Sequence, residues 1–342
     1  MRISTTNKPR IFITMGDSAG IGPEIIVKSM ARPEIKDLAV FAVIGDEAGI
    51  IDTAKKLSFR GEFAVQKYDC SRRSEIILKE GVVNIIDPSP SLGKIKPGVP
   101  TKEGAQKALD CLAFAVKLMR DPADKAPRAM VTAPLCKETI AGVKPGFRGH
   151  TEYLAEAYSS NLVTMVMAGE DFSVVPVTRH IPIKDVAPKL NKQLIRDTLL
   201  QVIENRNLIC ARKDPKIGVC ALNPHAGEGG EIGREEIEII TPAVRSAKKR
   251  YENITLPMPA DTLFYKAYRK EIDIVVAMYH DQALAPFKMI HFDSGVNMTL
   301  GLAHIRTSPD HGTAFDIAGK GIANPESMTQ AIKLAVRAIQ TV

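Results

Sequence analysis

Short runs rich in β-branched and aliphatic residues recur along the chain at Ile11–Met15, Ala39–Ile44, Val82–Ile86, Ala129–Thr132, Thr164–Met167, Ile217–Ala221 and Ile272–Met278. Between them lie segments whose apolar positions repeat at helical spacing, among them Glu103–Met119, Lys192–Glu204 and Arg234–Lys249. Strand-length runs alternating with helices predict an α/β fold with a mainly parallel sheet. The Pro/Gly-rich stretch Asp87–Pro100 is the longest expected loop. Directly after the first strand comes Gly16–Glu24, GDSAGIGPE, with Pro23 placed to open a helix. Its glycines allow a tight turn and expose backbone N–H groups, to which an anion or a catalytic loop could bind. A plain strand-to-helix turn explains the same residues.

At the other end of the chain, His311–Pro325 reads HGTAFDIAGKGIANP. Three glycines, a carboxylate, a lysine and an asparagine in one loop exceed what a solvated connector requires. An adenosine uses a carboxylate for its ribose hydroxyls and an amide for its base, so the loop looks built for a nucleotide. With the glycine turn N-terminal and this loop C-terminal, the expected lobes are discontinuous. Residues 1–132 plus 303–342 would form a terminal lobe, and residues 133–302 a central lobe.

The chain has 342 residues, 45% of them hydrophobic, enough for two modest cores. No apolar run is long enough for a signal peptide or a membrane span, and the N-terminus MRISTTNKPR has none behind it. The five cysteines are widely spaced, as expected of reduced thiols in a cytoplasmic protein. Although the net charge is +7, the basic residues are dispersed; the one dense cluster, Arg245–Arg250, falls where a helix should end. Without tryptophan or basic–aromatic interleaving, no nucleic-acid partner is expected, and a small anionic substrate suits the charge better.

Four of the seven histidines sit in segments at expected strand ends: Arg148–Glu152 (RGHTE), Thr178–Pro182 (TRHIP), Leu222–Gly230 (LNPHAGEGG) and Met278–Gln282 (MYHDQ). Ala260–Leu263 (ADTL) is a fifth such segment. Open α/β sheets place their sites at the carboxyl ends of strands. Three imidazoles around a divalent cation would leave positions open for substrate. The spacing is long-range, so the residues alone leave open both convergence on a metal and ordinary structural histidines.

Taken together, TMGDSAGIGPE, TAPLCKE (Thr132–Glu138), GHTE, TRHIP, NPHAGEGG, PADTLF (Pro259–Phe264), AMYHDQ, GVNMTLGL (Gly295–Leu302) and IRTSPDHGTA (Ile305–Ala314) resemble the 4-hydroxythreonine-4-phosphate dehydrogenase family over nearly the whole chain. The resemblance implies an isocitrate/isopropylmalate dehydrogenase-like fold of two α/β/α lobes with the active site in the cleft. It also implies a homodimer with a shared site. Metal ligands fall on His180, His225 and His280, one of them from the partner subunit. Zinc suits them, with cobalt, magnesium or manganese as alternatives. Substrate contacts fall on His150, Thr151, Lys288, Asn297 and Arg306; two cations and an amide suit a phosphate plus a carboxylate. Asp261, Asp281 and Lys288 are the candidates for catalysis, the two aspartates either orienting a histidine or moving a proton. The nucleotide loop resembles the adenosine loop of that fold, so His311, Gly312, Asp316, Ile317 and Asn324 would bind the cofactor. The Asp316–Ile317 pair points to NAD, because a carboxylate repels a 2′-phosphate.

The implied reaction is NAD- and metal-dependent oxidation of a phosphorylated 3-hydroxy acid of the 4-hydroxy-L-threonine 4-phosphate type, giving a β-keto acid that decarboxylates. Departures at Thr14–Gly16 and Gly301–His304 resemble a branch acting on 4-phospho-D-threonate or 4-phospho-D-erythronate. A phosphate acyltransferase-like enzyme and a metallophosphatase are the readings from other classes.

Overall fold

The computed structural model describes residues 8–67, 76–89 and 95–341. Cys70, the first seven residues and positions 90–94 of the expected long loop lie outside them. In chain order the strands are β1 (Arg10–Thr14), β2 (Val40–Ile44), β3 (Phe63–Lys67), β4 (Val83–Asp87), β5 (Arg128–Thr132), β6 (Thr164–Ala168), β7 (Ser173–Pro176), β8 (Ile217–Cys220), β9 (Ile254–Met258), β10 (Ile274–Ala277), β11 (Val296–Leu300) and β12 (Ile305–Pro309). The chain divides into two compact units, Met1–Asn161 with Leu302–Gln340, and Leu162–Gly301.

In the first unit the strand order is β3-β4-β2-β1-β5-β12, every pairing parallel. Strand β1 is buried along its whole length, with Ile11, Phe12 and Ile13 fully inaccessible, as expected where helices cover both faces. The helix Lys102–Met119 covers one face. Thr101 caps it, its Oγ1 accepting from the Gly104 N–H at 3.0 Å. Ala105, Ala108, Leu109, Leu112, Ala115, Val116 and Met119 form the buried stripe. Leu112→Ala would cost about 2–5 kcal/mol, the range for a cavity at such a site. Lys107 lies on the same buried side, 1% exposed, with Nζ 2.7 Å from Asp46 Oδ1 and 3.1 Å from Asp87 Oδ2. Burial alone would pull its pKa down, but the two carboxylates outweigh it and hold the ammonium above its ordinary value.

The lobe boundary expected after Thr132 lies instead after Asn161. Helices Lys137–Ala141 and His150–Ala157 stay with the first unit because their apolar faces have partners there. Ile140 and Phe147 pack with Ala105 and Leu109, and Leu154 joins the cluster around Leu112 and Ala115.

The second unit has the strand order β11-β6-β7-β10-β8-β9. Strand β6 runs antiparallel to both neighbours; the β7, β10, β8 and β9 pairings are parallel. All four parallel strands end just before a residue singled out from the sequence: β7 before His180, β8 before His225, β9 before Asp261 and β10 before His280. The helical pattern expected over Arg234–Lys249 is realised in two parts, a π-helical turn at Glu236–Ile240 and an α-helix at Thr241–Lys248. Pro242 supplies no N–H at the junction. Glu236 is buried and turned inward, its Oε1 accepting from the backbone N–H groups of Leu222 and Asn223 at 2.8 Å each.

Candidate active site

Within the first unit, β5 and β12 bring Thr132 and Arg306 together. Arg306 is 4% exposed and donates to Thr132 Oγ1 from Nη2 at 2.6 Å and from Nε at 3.2 Å. Burial lowers its pKa to about 10, with the Glu152 carboxylate acting the other way, so it remains a cation at neutral pH. His150 opens its helix and is half-buried. Its pKa is pushed well down by desolvation, then by the charges of Arg306 and Lys137, so the imidazole is neutral. Thr151 follows it, also half-buried. Gly149, the residue before this helix, has φ +149°, and a Cβ there would lie 3.5 Å from Lys137 Nζ and 3.2 Å from Glu152 Oε2. Two cations, a neutral imidazole, a hydroxyl and a helix N-terminus thus lie near one another beside the Glu152 carboxylate, and the surplus of positive charge suits a phosphate or carboxylate. Lys137 was not among the expected site residues. Its signal was its place in TAPLCKE, the segment leaving β5.

The nucleotide-type loop is anchored on the helix Gly22–Met30. Glu24 accepts from the N–H groups of Gly321 at 3.1 Å and Ala323 at 2.7 Å, while Lys28 Nζ donates to the carbonyls of the same two residues. Ile21 N–H donates to the Thr313 carbonyl. So held, the loop leaves Asp316 and Asn324 exposed, with Ile317 half-buried. His311 Nδ1 lies 3.1 Å from the Gly312 carbonyl, and a Cβ built on Gly312 would meet nothing within 4 Å. An exposed carboxylate, an exposed amide and open space beside a glycine fit an adenosine.

In the second unit, the His180 and His280 rings face one another with centroids 5.3 Å apart, and they line a cavity of about 230 Å³ with Arg179, Tyr279 and Asp281. His280 Nδ1 is 2.6 Å from Asp281 Oδ1, so Asp281 orients that ring and leaves Nε2 free to act as a donor to a metal. His225 is exposed and pairs through Nδ1 with Glu228 Oε1 at 2.5 Å. The hydrogen bond to Glu228, with that residue's charge, raises its pKa. Asp261 is exposed, its Oδ1 accepting from the Thr262 N–H. Lys288 lies on the helix His280–His291, its Nζ 6.0 Å from the centre of the Phe292 ring. Asn297 is half-buried on β11, with an Oδ1 that has no hydrogen-bond partner among the described residues. Two of the three expected metal ligands are therefore adjacent. Among the described residues no group of three or more His, Cys, Asp or Glu side chains is placed to hold a metal ion.

The loop carrying His225 has an unusual backbone. His225, Ala226, Gly227, Glu228 and Gly229 all have positive φ, at 53°, 58°, 80°, 42° and 70°. For the three that are not glycine, this left-handed conformation costs roughly 1–2 kcal/mol each.

The family model described as pyridoxal phosphate biosynthetic protein PdxA matches residues 37–335. The chain belongs to the PdxA family. A 4-hydroxythreonine-4-phosphate dehydrogenase of Desulfosudis oleivorans is 41% identical over 332 residues, covering 96% of each chain. A D-threonate 4-phosphate dehydrogenase of Pectobacterium atrosepticum is 39% identical, covering 96% of this chain and 98% of the relative. The crystal structure of 4-hydroxythreonine-4-phosphate dehydrogenase from Klebsiella pneumoniae superposes with a TM-score of 0.81 at 35% identity, covering 98% of this chain and all of the other. The mixed α/β fold with its mainly parallel sheet is thus that of the family.

Proposed function

We propose that this chain is an NAD- and divalent-metal-dependent dehydrogenase that oxidises the C3 hydroxyl of 4-hydroxy-L-threonine 4-phosphate or a close analogue to the corresponding β-keto acid. The observation that carries the reading is the second unit's layout, in which each parallel strand delivers a His or Asp of the expected site just past its carboxyl end. Membership of the PdxA family, with relatives named as dehydrogenases of phosphorylated hydroxy acids, supports it.

In this reading Arg306, Lys137 and the neutral His150 bind the anionic part of the substrate, with Thr132 holding the guanidinium in place. Lys288 and Asn297 supply a further cation and amide. Ligands to the metal are His180, His225 and His280, and an imidazole set of this kind suits zinc. When bound, the metal polarises the substrate oxygen and the nicotinamide accepts the hydride. Asp281 keeps His280 in the tautomer whose Nε2 is free, and Asp261 is then the carboxylate that takes the hydroxyl proton. Asp316 accepts hydrogen bonds from the unmodified ribose of NAD, and Asn324 contacts the base.

His180 and His280 are adjacent while His225 is not grouped with them, which supports a homodimer in which one of the three ligands comes from the partner subunit. Exposed apolar side chains on the second unit, Tyr265, Tyr268, Met289 and Phe292, suit burial against a second copy. The four described cysteines are unbonded, and among the described residues no helix is long and apolar enough to cross a membrane.

A second reading, 4-phospho-D-threonate or 4-phospho-D-erythronate as substrate, is favoured by the nearly equal identity to a D-threonate 4-phosphate dehydrogenase. The deciding experiment follows NAD reduction by metal-loaded protein with each of the three phosphorylated acids, assaying phosphate release in parallel. Reduction with one of them establishes the activity and chooses between the readings. Phosphate release without NADH would replace both with a phosphatase.

A further inference from the structure

The contact between His225 and Glu228 is made by a turn that the rest of the loop is built to enforce. In a left-handed turn of about three residues, positions i and i+3 stand on one face, and here those positions are the imidazole and the carboxylate. Several contacts hold the turn. A Cβ at Gly227 would lie 2.8 Å from Glu236 Oε2 and 2.9 Å from the Gly233 carbonyl, so no other residue fits there. Ile232 N–H donates to the Gly227 carbonyl at 3.1 Å, and Glu236 grips the turn's entry through Leu222 and Asn223. The paired side chains are largely exposed, 70% for His225 and 50% for Glu228, and a pair so exposed adds little to stability. Three strained non-glycine residues are therefore not explained by what the pair contributes to folding, and strain of this kind collects at functional positions.

We propose that Glu228 is a positioning residue for His225. Because a carboxylate only accepts, Nδ1 must carry the proton, which leaves Nε2 as the lone-pair donor. The ring is then held in one tautomer and one orientation, as Asp281 does for His280. The role rests on the reading of His225 as a metal ligand.

Two measurements test it, the first without metal. Ring-nitrogen NMR of metal-free protein labelled at histidine should show His225 protonated at Nδ1 in the native chain and in Glu228→Gln, whose amide oxygen still accepts. In Glu228→Ala it should shift toward the Nε2–H tautomer. In the second, zinc affinity measured by competition with a chromophoric chelator should fall about 10–100-fold in Glu228→Ala, the usual loss for such a partner, and recover in part in Glu228→Gln. Glu228→Gly separates positioning from folding. Relief of the +42° φ should keep or raise Tm while zinc affinity still falls. A lowered Tm with unchanged affinity would reverse that pattern and overturn the proposal, as would an Nε2–H tautomer in the native chain. Affinity that drops in His225→Ala but not in Glu228→Ala would remove the role of Glu228 alone. Affinity indifferent to His225→Ala would remove the metal reading of His225 with it.

Discussion

Arg306 donates to Thr132 Oγ1 at 2.6 Å, joining two residues 174 positions apart in the chain. The bond aims a buried guanidinium, and a lysine could not reproduce it, having neither the planar fork nor the reach in two directions. Arg306→Lys should lower kcat/KM for the phosphorylated substrate by roughly 10–100-fold, the loss of one charge-assisted hydrogen bond of about 1.5–3 kcal/mol. Most of the effect should appear in KM, because substrate binding is what is lost. Thr132→Val should act in the same direction, more weakly. Unchanged steady-state kinetics in Arg306→Lys would falsify the assignment of Arg306 to the substrate.

The exposed Asp316 should make the enzyme prefer NAD to NADP, since a 2′-phosphate facing this carboxylate would be repelled and would forfeit its ribose hydrogen bonds. Asp316→Ala should weaken NAD binding and narrow the preference. Comparable kcat/KM values for the two cofactors in the native protein would show that the loop serves something else.

Chelation should abolish turnover, and His180→Ala, His225→Ala and His280→Ala should each weaken metal retention. If His180 and His225 of one site come from opposite subunits, mixing inactive His180→Ala with inactive His225→Ala chains should restore part of the activity once subunits exchange. One of the two sites in the mixed dimer then has all three imidazoles. Light scattering at assay concentration reports the oligomer directly, and an active monomer would exclude the shared site.

Acid should destabilise the protein before its carboxylates titrate. His150, His291 and His304 are all held below the ordinary imidazole value of 6.5, chiefly by burial. His291 is 3% exposed, packed against Phe172 and Phe287, with Nε2 3.8 Å from Asp171 Oδ2. As pH falls below 6.5 the unfolded chain takes up protons that the folded chain refuses. The stability these residues contribute is therefore complete above that pH and is lost as pH falls through their lowered folded values. Urea unfolding of metal-free protein between pH 7.5 and 5 should show the decline, and His291→Leu should make it shallower.

Asp17 behaves in the opposite sense. It is 1% exposed in the glycine turn; Oδ1 accepts from the Ala19 N–H, and Oδ2 has no partner among the described residues. Burial raises its pKa, with the Ala19 N–H acting against it. Its contribution is thus complete below the ordinary 3.8 and lost as pH rises through the raised value. Asp17→Asn should raise Tm at pH 7, because it removes the buried charge while its amide oxygen can still accept from the Ala19 N–H. A Tm at pH 7 equal to or below that of the native chain would contradict this account.

Strands β1, β2, β4, β5, β6, β8 and β10 were legible because their apolar runs are buried on the sheet, and the helix Lys192–Glu204 because its apolar period is unbroken. Strands β3, β7, β9, β11 and β12 were not. Four of these are short or interrupted by polar residues or proline, as in Ser173–Pro176 and Ile305–Pro309, and β11 runs through a motif whose Asn297 breaks the apolar pattern. The four strand-end histidines and the glycine-rich loop were visible as chemistry, whereas the partnership of His225 with Glu228 was not. Residues three apart also meet on a right-handed helix, but here they meet on a left-handed turn, a conformation that composition does not announce.

Local periodicity and residue type by themselves determined the α/β class and the placement of candidate groups at strand ends. Those features depend on short-range patterning, in which burial of apolar faces leaves few choices. Only the tertiary structure decided that residues 133–161 pack with the terminal unit, that Lys137 joins Arg306 and His150, and that His180 and His280 face each other while His225 does not join them. Each depends on contacts between segments far apart in the chain, where closeness is set by how whole strands and helices stack and not by any residue's own preference.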